Sequence, residues 1–242
     1  RLNFIENIAL QPKKGDFTLD HMKKLWNVLV KRSITDVEKS AFLNWITKSK
    51  ESNYGRGRTH IINDNLMKSF FQSVFCDKEQ MDGFKNISYD VFRAFEKYFE
   101  VLNEKEDFIE LGKNHNKVIK YESLIGHDVL WQMLLNCINE KVLKEVKNNL
   151  VNLHLKIASN NIEYRMSIWQ NFISKVMDCL EIGQSTKNIN IITNAISVLN
   201  LFVVNFDGRK YLQRDGPLSE TLSFIVVDKK GNHARQSSLI HH

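Results

Sequence analysis

The chain has 242 residues, of which 43% are hydrophobic and only 2 are proline and 10 glycine, a composition typical of an all-α protein with long helices. Its net charge is +6, but acidic and basic residues alternate, as in Glu38-Lys39 and Glu140-Lys141, which favours solvated helix faces over a nucleic-acid surface. No apolar run approaches the ~20 residues that cross a bilayer, and the first residues lack the pattern of a signal peptide, so we expect no association with a membrane.

The N-terminal part of the chain predicts amphipathic helices. Residues 1–10 are expected to form a short helix, and Thr18 is placed to cap the next one. The segment Thr35 to Glu38 has the sequence TDVE of a capping box, in which a hydroxyl and a carboxylate each accept a hydrogen bond from a backbone amide. It begins a helix that buries Phe42 and Trp45. We expect the helices that follow Thr18 and Thr35 to form a first hairpin.

The polar segment Lys48 to His60 predicts a mobile loop between helices. Arg56 and Arg58 stand beside glycines in this loop. That combination can bind phosphate or RNA, because glycine lets backbone amides approach an anion and arginine neutralises it. The pattern is short and common, so a solvated loop is the favoured interpretation.

A helix with a dense aromatic stripe is predicted after Ser88, and Asn63 or Asp64 caps the helix before it. Six apolar side chains of the Ser88 helix recur at helical spacing, which predicts a packed core more than a groove for a partner peptide. They are Val91, Phe92, Phe95, Tyr98, Phe99 and Leu102. The charged segment Glu104 to Tyr121 is expected to be irregular.

The stretch from Tyr121 to Ser159 contains two amphipathic helical halves. The first has its apolar residues at Val129, Leu130, Leu134, Leu135 and Ile138, and the second at Val142, Val146, Leu150, Leu153 and Ile157. Only a few polar residues around Asn139 separate the halves, so we expect a helical hairpin. Further apolar residues such as Trp131, Met133 and Val151 lie off the shared face and need neighbouring hairpins. The sequence therefore predicts an all-α fold, an armadillo- or HEAT-like α-solenoid of stacked helical hairpins.

Two more helices are predicted before the chain changes character. Ile162 to Leu180 is amphipathic, and Gly183 stands where the C-terminus of this helix is expected. Asn188 to Asn205 is unusually apolar, which predicts burial on two sides. The main face of this helix comprises Ile191, Ile192, Ala195, Ile196, Leu199 and Phe202.

The last segment predicts β-structure. Leu222 to Val227 is β-branched and apolar, and Asp228 to Asn232 is a turn, so we expect a short C-terminal β-hairpin or strand. Residues 1–216 are then the helical-repeat domain, and residues 217–242 are the start of a truncated second domain. The strand edge at Leu222 to Val227 could pair with another copy of the chain. Because the chain begins at Arg1-Leu2 without an initiator Met, we expect a fragment of a longer protein.

The His127-Asp128 pair is the main candidate for chemistry. Such a pair on a helix is part of the metal site in one class of helical phosphohydrolases, but that site needs further His and Asp ligands. The favoured interpretation is structural: Gly126 makes a turn, and Asp128 interacts with the amides at the helix start. We therefore assign no catalytic, cofactor-binding or metal-binding residue.

The three cysteines favour an intracellular protein. Cys76, Cys137 and Cys179 are odd in number, far apart and set in apolar helical stretches. They are expected to be buried thiols in a reducing compartment. We expect a cytoplasmic protein, present also in the nucleus.

Six segments spread along the chain carry a family resemblance. They are Arg1-Leu2-Asn3-Phe4, the Leu25-Trp26 helix, the helix with Phe42-Leu43-Asn44-Trp45, FRAFEKYFEVLN from Phe92, LIGHDVLW from Leu124 and LSFIVVDKKG from Leu222. In this order they resemble the non-catalytic helical-repeat region of the giant ubiquitin-specific proteases of the fat facets or FAF-X type, which are ubiquitin carboxyl-terminal hydrolases of peptidase family C19. The last segment resembles the first strand and turn of the ubiquitin-like domain that follows in that family.

The resemblance implies that the parent protein is a thiol protease that removes ubiquitin, with its catalytic domain outside this chain. The chain itself would be a scaffold that positions ubiquitinated substrates or adaptors relative to that domain, and no cofactor is expected. Two alternatives stay open. One is a free-standing basic helical-repeat module that binds nucleic acid through the +6 charge, and the other is a metal-dependent hydrolase that uses His127 and Asp128.

Overall fold

A computed structural model shows a predominantly helical chain, as the composition predicts, and describes residues 17–31, 35–51, 62–76, 86–111, 117–157 and 161–206. The α-helices within these residues are α1 (Leu19–Trp26), α2 (Asp36–Glu51), α3 (Asp64–Phe75), α4 (Tyr89–Lys105), α5 (His127–Asn136), α6 (Glu140–Leu155), α7 (Ile162–Ser185) and α8 (Ile189–Asn205). A π-helical turn, Asn27–Lys31, follows α1, and a 3-10 turn, Tyr121–Ser123, precedes α5. The chain divides into two compact units, residues 1–144 and 145–242.

Several predicted features lie outside the described residues. They are the helix of residues 1–10, Arg56 and Arg58, the domain boundary at 216 and the β-hairpin that begins at residue 222. Of the loop predicted for Lys48 to His60, the structure describes only the first residues. They continue α2 as far as Glu51, which corrects the predicted helix end.

Side-chain caps determine where the first helices begin, as the sequence predicts. The Thr18 hydroxyl accepts a hydrogen bond from the His21 amide (3.3 Å), and His21 Nδ1 accepts one from the Thr18 amide (3.3 Å). A histidine thus takes the place of the usual glutamate in this capping box. Asn63 Oδ1 accepts from a first-turn amide of α3 (2.8 Å), and the Ser88 hydroxyl caps α4. Helix α2 begins directly after Thr35.

Aromatic side chains from α1 to α4 form the core of the first unit. The Trp26 ring of α1 lies 5.9 Å from the Phe42 ring of α2 and 5.8 Å from the Phe70 ring of α3, measured between ring centroids. The Phe75 ring of α3 lies 5.2 Å from the Phe95 ring of α4. Tilted and edge-on ring pairs at these distances add to the free energy gained by burial. The aromatic stripe predicted on α4 is therefore core, and not a groove.

Alternate helices are close neighbours in this unit, because α1 packs on α3 and α2 packs along α4. A hydrogen bond from Lys39, and then the Ser88 hydroxyl that caps α4, lower the pKa of the Asp36 carboxyl at the start of α2, so the starts of the two helices lie near each other. The two helices therefore begin side by side and run in the same direction. Helices α1 and α2, predicted as a hairpin, meet through the rings of Trp26 and Phe42.

The segment between α4 and α5 is more regular than predicted. We expected residues 104–121 to be irregular, but α4 continues to Lys105, and an antiparallel pair follows, β1 (Ile109–Leu111) with β2 (Lys117–Ile119). Ile109 pairs with Ile119, and both side chains are buried. Strands of three residues are too short to show the alternation by which a strand is recognised in a sequence.

Asn103, near the end of α4, holds the segment that leads into α5. Its side chain is fully buried. The Oδ1 atom accepts a hydrogen bond from the Ile125 amide (2.8 Å), while Nδ2 donates to the carbonyls of Ile125 (3.2 Å) and Phe99 (2.9 Å). One side chain thus satisfies both backbone groups of Ile125. Gly126 follows with a φ of 82°, and a Cβ atom there would collide with the Phe71 ring.

Helices α5 and α6 occupy the two halves of the predicted central hairpin, and most of the apolar residues predicted there are buried. Ile138 is an exception, since we expected it on the buried face but its side chain is 63% exposed. The backbone leaves helical geometry at Cys137, where ψ is 139°, so Ile138 no longer follows the helical period. Asn139 then caps α6, and its Oδ1 accepts from the amides of Lys141 (3.1 Å) and Val142 (3.3 Å).

Helices α7 and α8 pack closely on each other in the second unit. The Phe172 ring of α7 stacks on the Phe202 ring of α8, with 4.5 Å between centroids. The buried His154 ring lies edge-on to Phe172 (4.7 Å) and is hydrogen-bonded through Nδ1 to the Leu150 carbonyl (2.6 Å). The Trp169 indole donates to the His154 carbonyl (3.0 Å), so the polar groups of this core have partners.

Gly183 has a different role from the one predicted. We expected it at the C-terminus of a helix, but α7 continues through it. Gly183 is buried where α8 approaches, and a Cβ atom there would lie 2.7 Å from Ile192 Cγ1. Helix α7 ends instead in a Schellman turn, in which Lys187 takes a φ of 53°. The Asn188 amide donates to the Gly183 carbonyl (2.8 Å), and the Lys187 amide donates to the Gln184 carbonyl (3.2 Å).

Candidate interaction surface

The predicted His127-Asp128 pair is built into the turn that begins α5. His127 Nε2 lies 3.5 Å from Asp128 Oδ1, and His127 Nδ1 is hydrogen-bonded to the Leu124 carbonyl (3.2 Å). The imidazole also packs against the Tyr121 ring, with 5.2 Å between centroids. Within the part of the chain that the structure describes, no three His, Cys, Asp or Glu side chains converge as metal ligands would. The geometry of the pair accordingly fits a helix start.

The cysteines do not form a reactive group among the described residues. Cys137 and Cys179 are buried, as predicted, but Cys76 is exposed, which corrects the prediction for that residue. Burial raises the pKa of the Cys137 thiol, and burial followed by the Asp178 carboxylate raises the pKa of Cys179 to about 11. Partial desolvation of the sulfur, and then the Asp128 carboxylate, raises the pKa of Cys76. All three are protonated at neutral pH and are weak nucleophiles.

Among the described residues of the second unit, α8 carries the largest number of exposed large apolar side chains. Three large apolar side chains of this helix are exposed, namely Ile189 (75%), Ile196 (55%) and Val204 (63%). Half-buried Ile192, Leu199 and Val203 lie on the same side of the helix. We call these six residues the α8 face. Helix α8 contains no charged residue, so nothing on the helix itself interrupts this surface with charge. Apolar surface of this kind marks interaction sites.

The position of the α8 face corrects the predicted orientation of the helix. We placed Ile196 on the main buried face, but it is exposed, and Asn194 points to the core instead. The buried residues of α8 are Ile191, Asn194, Ala195, Val198 and Phe202. Because the helix is apolar nearly all round, its hydrophobic period does not determine which side turns inward. Contact with Gly183 of α7 decides it, and that contact cannot be recognised from α8 alone. We expected α8 to be buried on two sides, but within the part of the chain that the structure describes it is buried on one side.

No helix in the described ranges has both the length and the apolar character needed to cross a bilayer. In the comparisons with known proteins, no model of a protein family and no curated protein matches the chain.

Proposed function

We propose that this chain is an armadillo- or HEAT-like helical scaffold from the non-catalytic part of a large ubiquitin-removing cysteine protease of the fat facets type. The observation that carries the proposal is the alternation of neighbours, α1 on α3 and α2 along α4, because stacked helical pairs repeat in this way. The resemblance of the segments that begin at Arg1, Phe92 and Leu124 supplies the biological setting.

Polar contacts make the pair of α3 and α4 suited to hold a fixed geometry. The buried Tyr98 hydroxyl donates to the Met67 carbonyl (2.7 Å), and burial raises the pKa of Tyr98 well above its usual value, so the hydroxyl keeps its proton. At the edge of the pair, Lys68 Nζ lies 2.7 Å from Glu106 Oε2. A scaffold needs contacts of this kind between successive helices, since its shape sets the positions of whatever it binds.

In this role the chain acts by geometry. Its helices would hold ubiquitinated substrates or adaptors near the protease domain of the parent protein in the cytoplasm, which raises their effective concentration there. The protonated thiols described above are in keeping with a segment that leaves the cleavage reaction to another domain. Charged side chains that alternate in sign along the helices would tune the rate of encounter.

Two assays test the proposal. The purified chain should release no fluorophore above the buffer rate from a ubiquitin-based fluorogenic substrate, and hydrolysis would contradict the non-catalytic assignment. In the second assay, the immobilised chain and a version that ends at Gly216 should both retain ubiquitin conjugates or a ubiquitin-specific protease from cytosol, in a manner that free chain competes.

A control bait makes the second assay specific for the folded helices. Phe95→Asp replaces a fully buried ring of α4 with a charge and should disrupt the packing of the first unit. Equal retention by this bait would show that binding does not depend on the helical fold. If neither the full chain nor the version that ends at Gly216 retained any protein, that result would contradict a scaffold that recruits partners.

A further inference from the structure

The capping box at the start of α1 contains a titratable group. The third residue of such a box is usually glutamate or glutamine, and neither changes its charge near neutral pH. In this chain the third residue is His21, and its Nδ1 accepts a hydrogen bond from the Thr18 amide (3.3 Å). A backbone amide can only donate, so Nδ1 carries no proton and the ring proton lies on Nε2. The closed box therefore requires a neutral imidazole in one of its two tautomers.

We propose that protonation of His21 opens this capping box, which makes the start of α1 a pH-sensitive switch. The protonated imidazole carries a hydrogen on both ring nitrogens. Nδ1–H would then face the N–H of Thr18 across 3.3 Å, with no acceptor between the two donors, so the ring must turn away. Histidine changes its charge between about pH 5 and 8. The box should accordingly be closed at the alkaline end of this range and open at the acidic end.

The groups beside His21 affect the pH at which the box opens, but not whether it opens. The Asp20 carboxylate lies close enough to His21 for their charges to interact, but it is exposed to water and shares its charge with Lys24 (3.0 Å). The Phe17 ring, 5.7 Å from the imidazole between centroids, can also attract a cation. Both attractions favour the imidazolium, whereas the positive end of the helix dipole and the neighbouring Lys23 oppose it. In any of these surroundings the imidazolium cannot accept from the cap amide.

Among the described side chains, the neighbouring helices bring little charge to this position. The charged residues of α2 are Asp36, Glu38 and Lys39, and they lie at its start, which follows the far end of α1 in the chain. Those of α3, Asp64 and Lys68, pair with side chains of α4 (3.2 and 2.7 Å). The switch therefore depends on the imidazole and its neighbours on α1.

Opening of the box should loosen the contact between α1 and α2. The Thr18 backbone is extended, and the Phe17 ring before it lies edge-on to the buried Trp45 ring of α2, with 6.3 Å between centroids. The first backbone hydrogen bond of α1 joins the Met22 amide to the Thr18 carbonyl (3.1 Å). Without the cap bond, both this turn and the ring contact are held less firmly. Acidification should therefore release the start of α1 from α2 while the core of the unit stays folded.

Nuclear magnetic resonance of the full 242-residue chain, with nitrogen-15 in histidine and threonine, tests the proposal. At about pH 8 the ring nitrogens of His21 should show the Nε2–H tautomer, and as the pH falls to about 5 the Thr18 amide shift should follow the protonation of His21. His21→Gln keeps an acceptor for the Thr18 amide but does not titrate, so that shift should then stay constant. His127→Gln makes the same change at another helix start and should leave the wild-type response intact.

Amide exchange measures the effect on the helix. The ratio of the Met22 exchange rate in the wild type to that in His21→Gln cancels the intrinsic effect of pH on exchange. It should be near one at about pH 8 and about threefold or more at about pH 5, a factor within the range that loss of a cap gives. An Nδ1–H tautomer at the higher pH, a Thr18 shift that changes equally in His21→Gln, or a constant exchange ratio would overturn the proposal. Circular dichroism checks that both variants are folded.

Discussion

The hydrogen bonds of Asn103 lead to a quantitative prediction. Asn103→Ala removes two hydrogen bonds to the backbone of Ile125, at 2.8 and 3.2 Å, and one to the Phe99 carbonyl, at 2.9 Å. The Phe99 carbonyl stays within helix α4, so the loss of its hydrogen bond from Asn103 costs little free energy. The two backbone groups of Ile125 lose these partners in a partly buried site, where each unsatisfied group costs about 1–3 kcal/mol. We expect the free energy of unfolding of the first unit to fall by about 2–4 kcal/mol.

The assay is urea denaturation followed by circular dichroism, with tryptophan fluorescence as a second probe to test whether the unit unfolds in a single transition. Asn136→Ala is the matched control. Its amide donates to the Gln132 carbonyl within the same helix (3.0 Å), but the side chain is exposed, so water replaces the lost contact. The control should change the free energy of unfolding by about 0.5 kcal/mol or less.

Equal losses in Asn103→Ala and Asn136→Ala, or a loss below about 1 kcal/mol for the first variant, would refute the reasoning. Asn103→Asp provides a second check. It keeps an acceptor for the Ile125 amide but turns a buried carboxylate toward the Ile125 carbonyl. Its stability should recover as the pH falls through the pKa of the new carboxyl, because the protonated form can donate to that carbonyl and the folded state binds the proton more tightly.

Three further predictions concern helix ends and helix contacts. Gly183→Ala should lower the free energy of unfolding of the second unit by about 1–3 kcal/mol, because the new Cβ would press on Ile192. This loss should exceed the gain from the higher helix propensity of alanine. An unchanged urea midpoint would contradict the close approach of α7 and α8. Lys187→Gly should raise the free energy of unfolding of the same unit by about 1 kcal/mol, since a φ of 53° is costly for any residue with a side chain. A lower calorimetric melting temperature for this variant would contradict the left-handed turn. The hydrogen bond from Lys39 lowers the pKa of Asp36, so this carboxylate stabilises the folded state above its unfolded pKa of about 4, and the contribution is lost as the pH falls through the lowered value. The urea midpoints of Asp36→Asn and the wild type should therefore differ at about pH 6 and agree near pH 2, and a constant difference would contradict the linkage.

Helix starts were predictable from the sequence because their chemistry is local. Thr18, Asn63 and Ser88 each need only a backbone amide two or three residues away, and the structure confirms all three caps. The predominantly helical character follows from the spacing of apolar residues in the same way. The region after Glu104 was less predictable, because the Asn103 side chain organises it through contacts that span more than twenty positions of sequence.

The orientation of helices could not be predicted where the apolar pattern is nearly continuous. Ile196 and Asn194 exchange their expected places because packing against Gly183, and not periodicity, fixes the rotation of α8. Gly183 itself has two common uses in helices, at a C-terminus and at a close contact, and the sequence does not distinguish them. The α8 face was missed for the same reason, since an exposed apolar stripe and a buried one have the same composition.

The packing of α2 along α4 has a consequence for synthesis on the ribosome. Helix α2 emerges well before α4, and the whole of α3 must be translated in between. During that interval α2, whose Phe42, Leu43 and Ile46 are fully buried in the finished protein, lacks one of the helices that it packs against. At translation speeds of roughly 5–20 residues per second the delay is several seconds, long enough for a chaperone to bind the nascent α2.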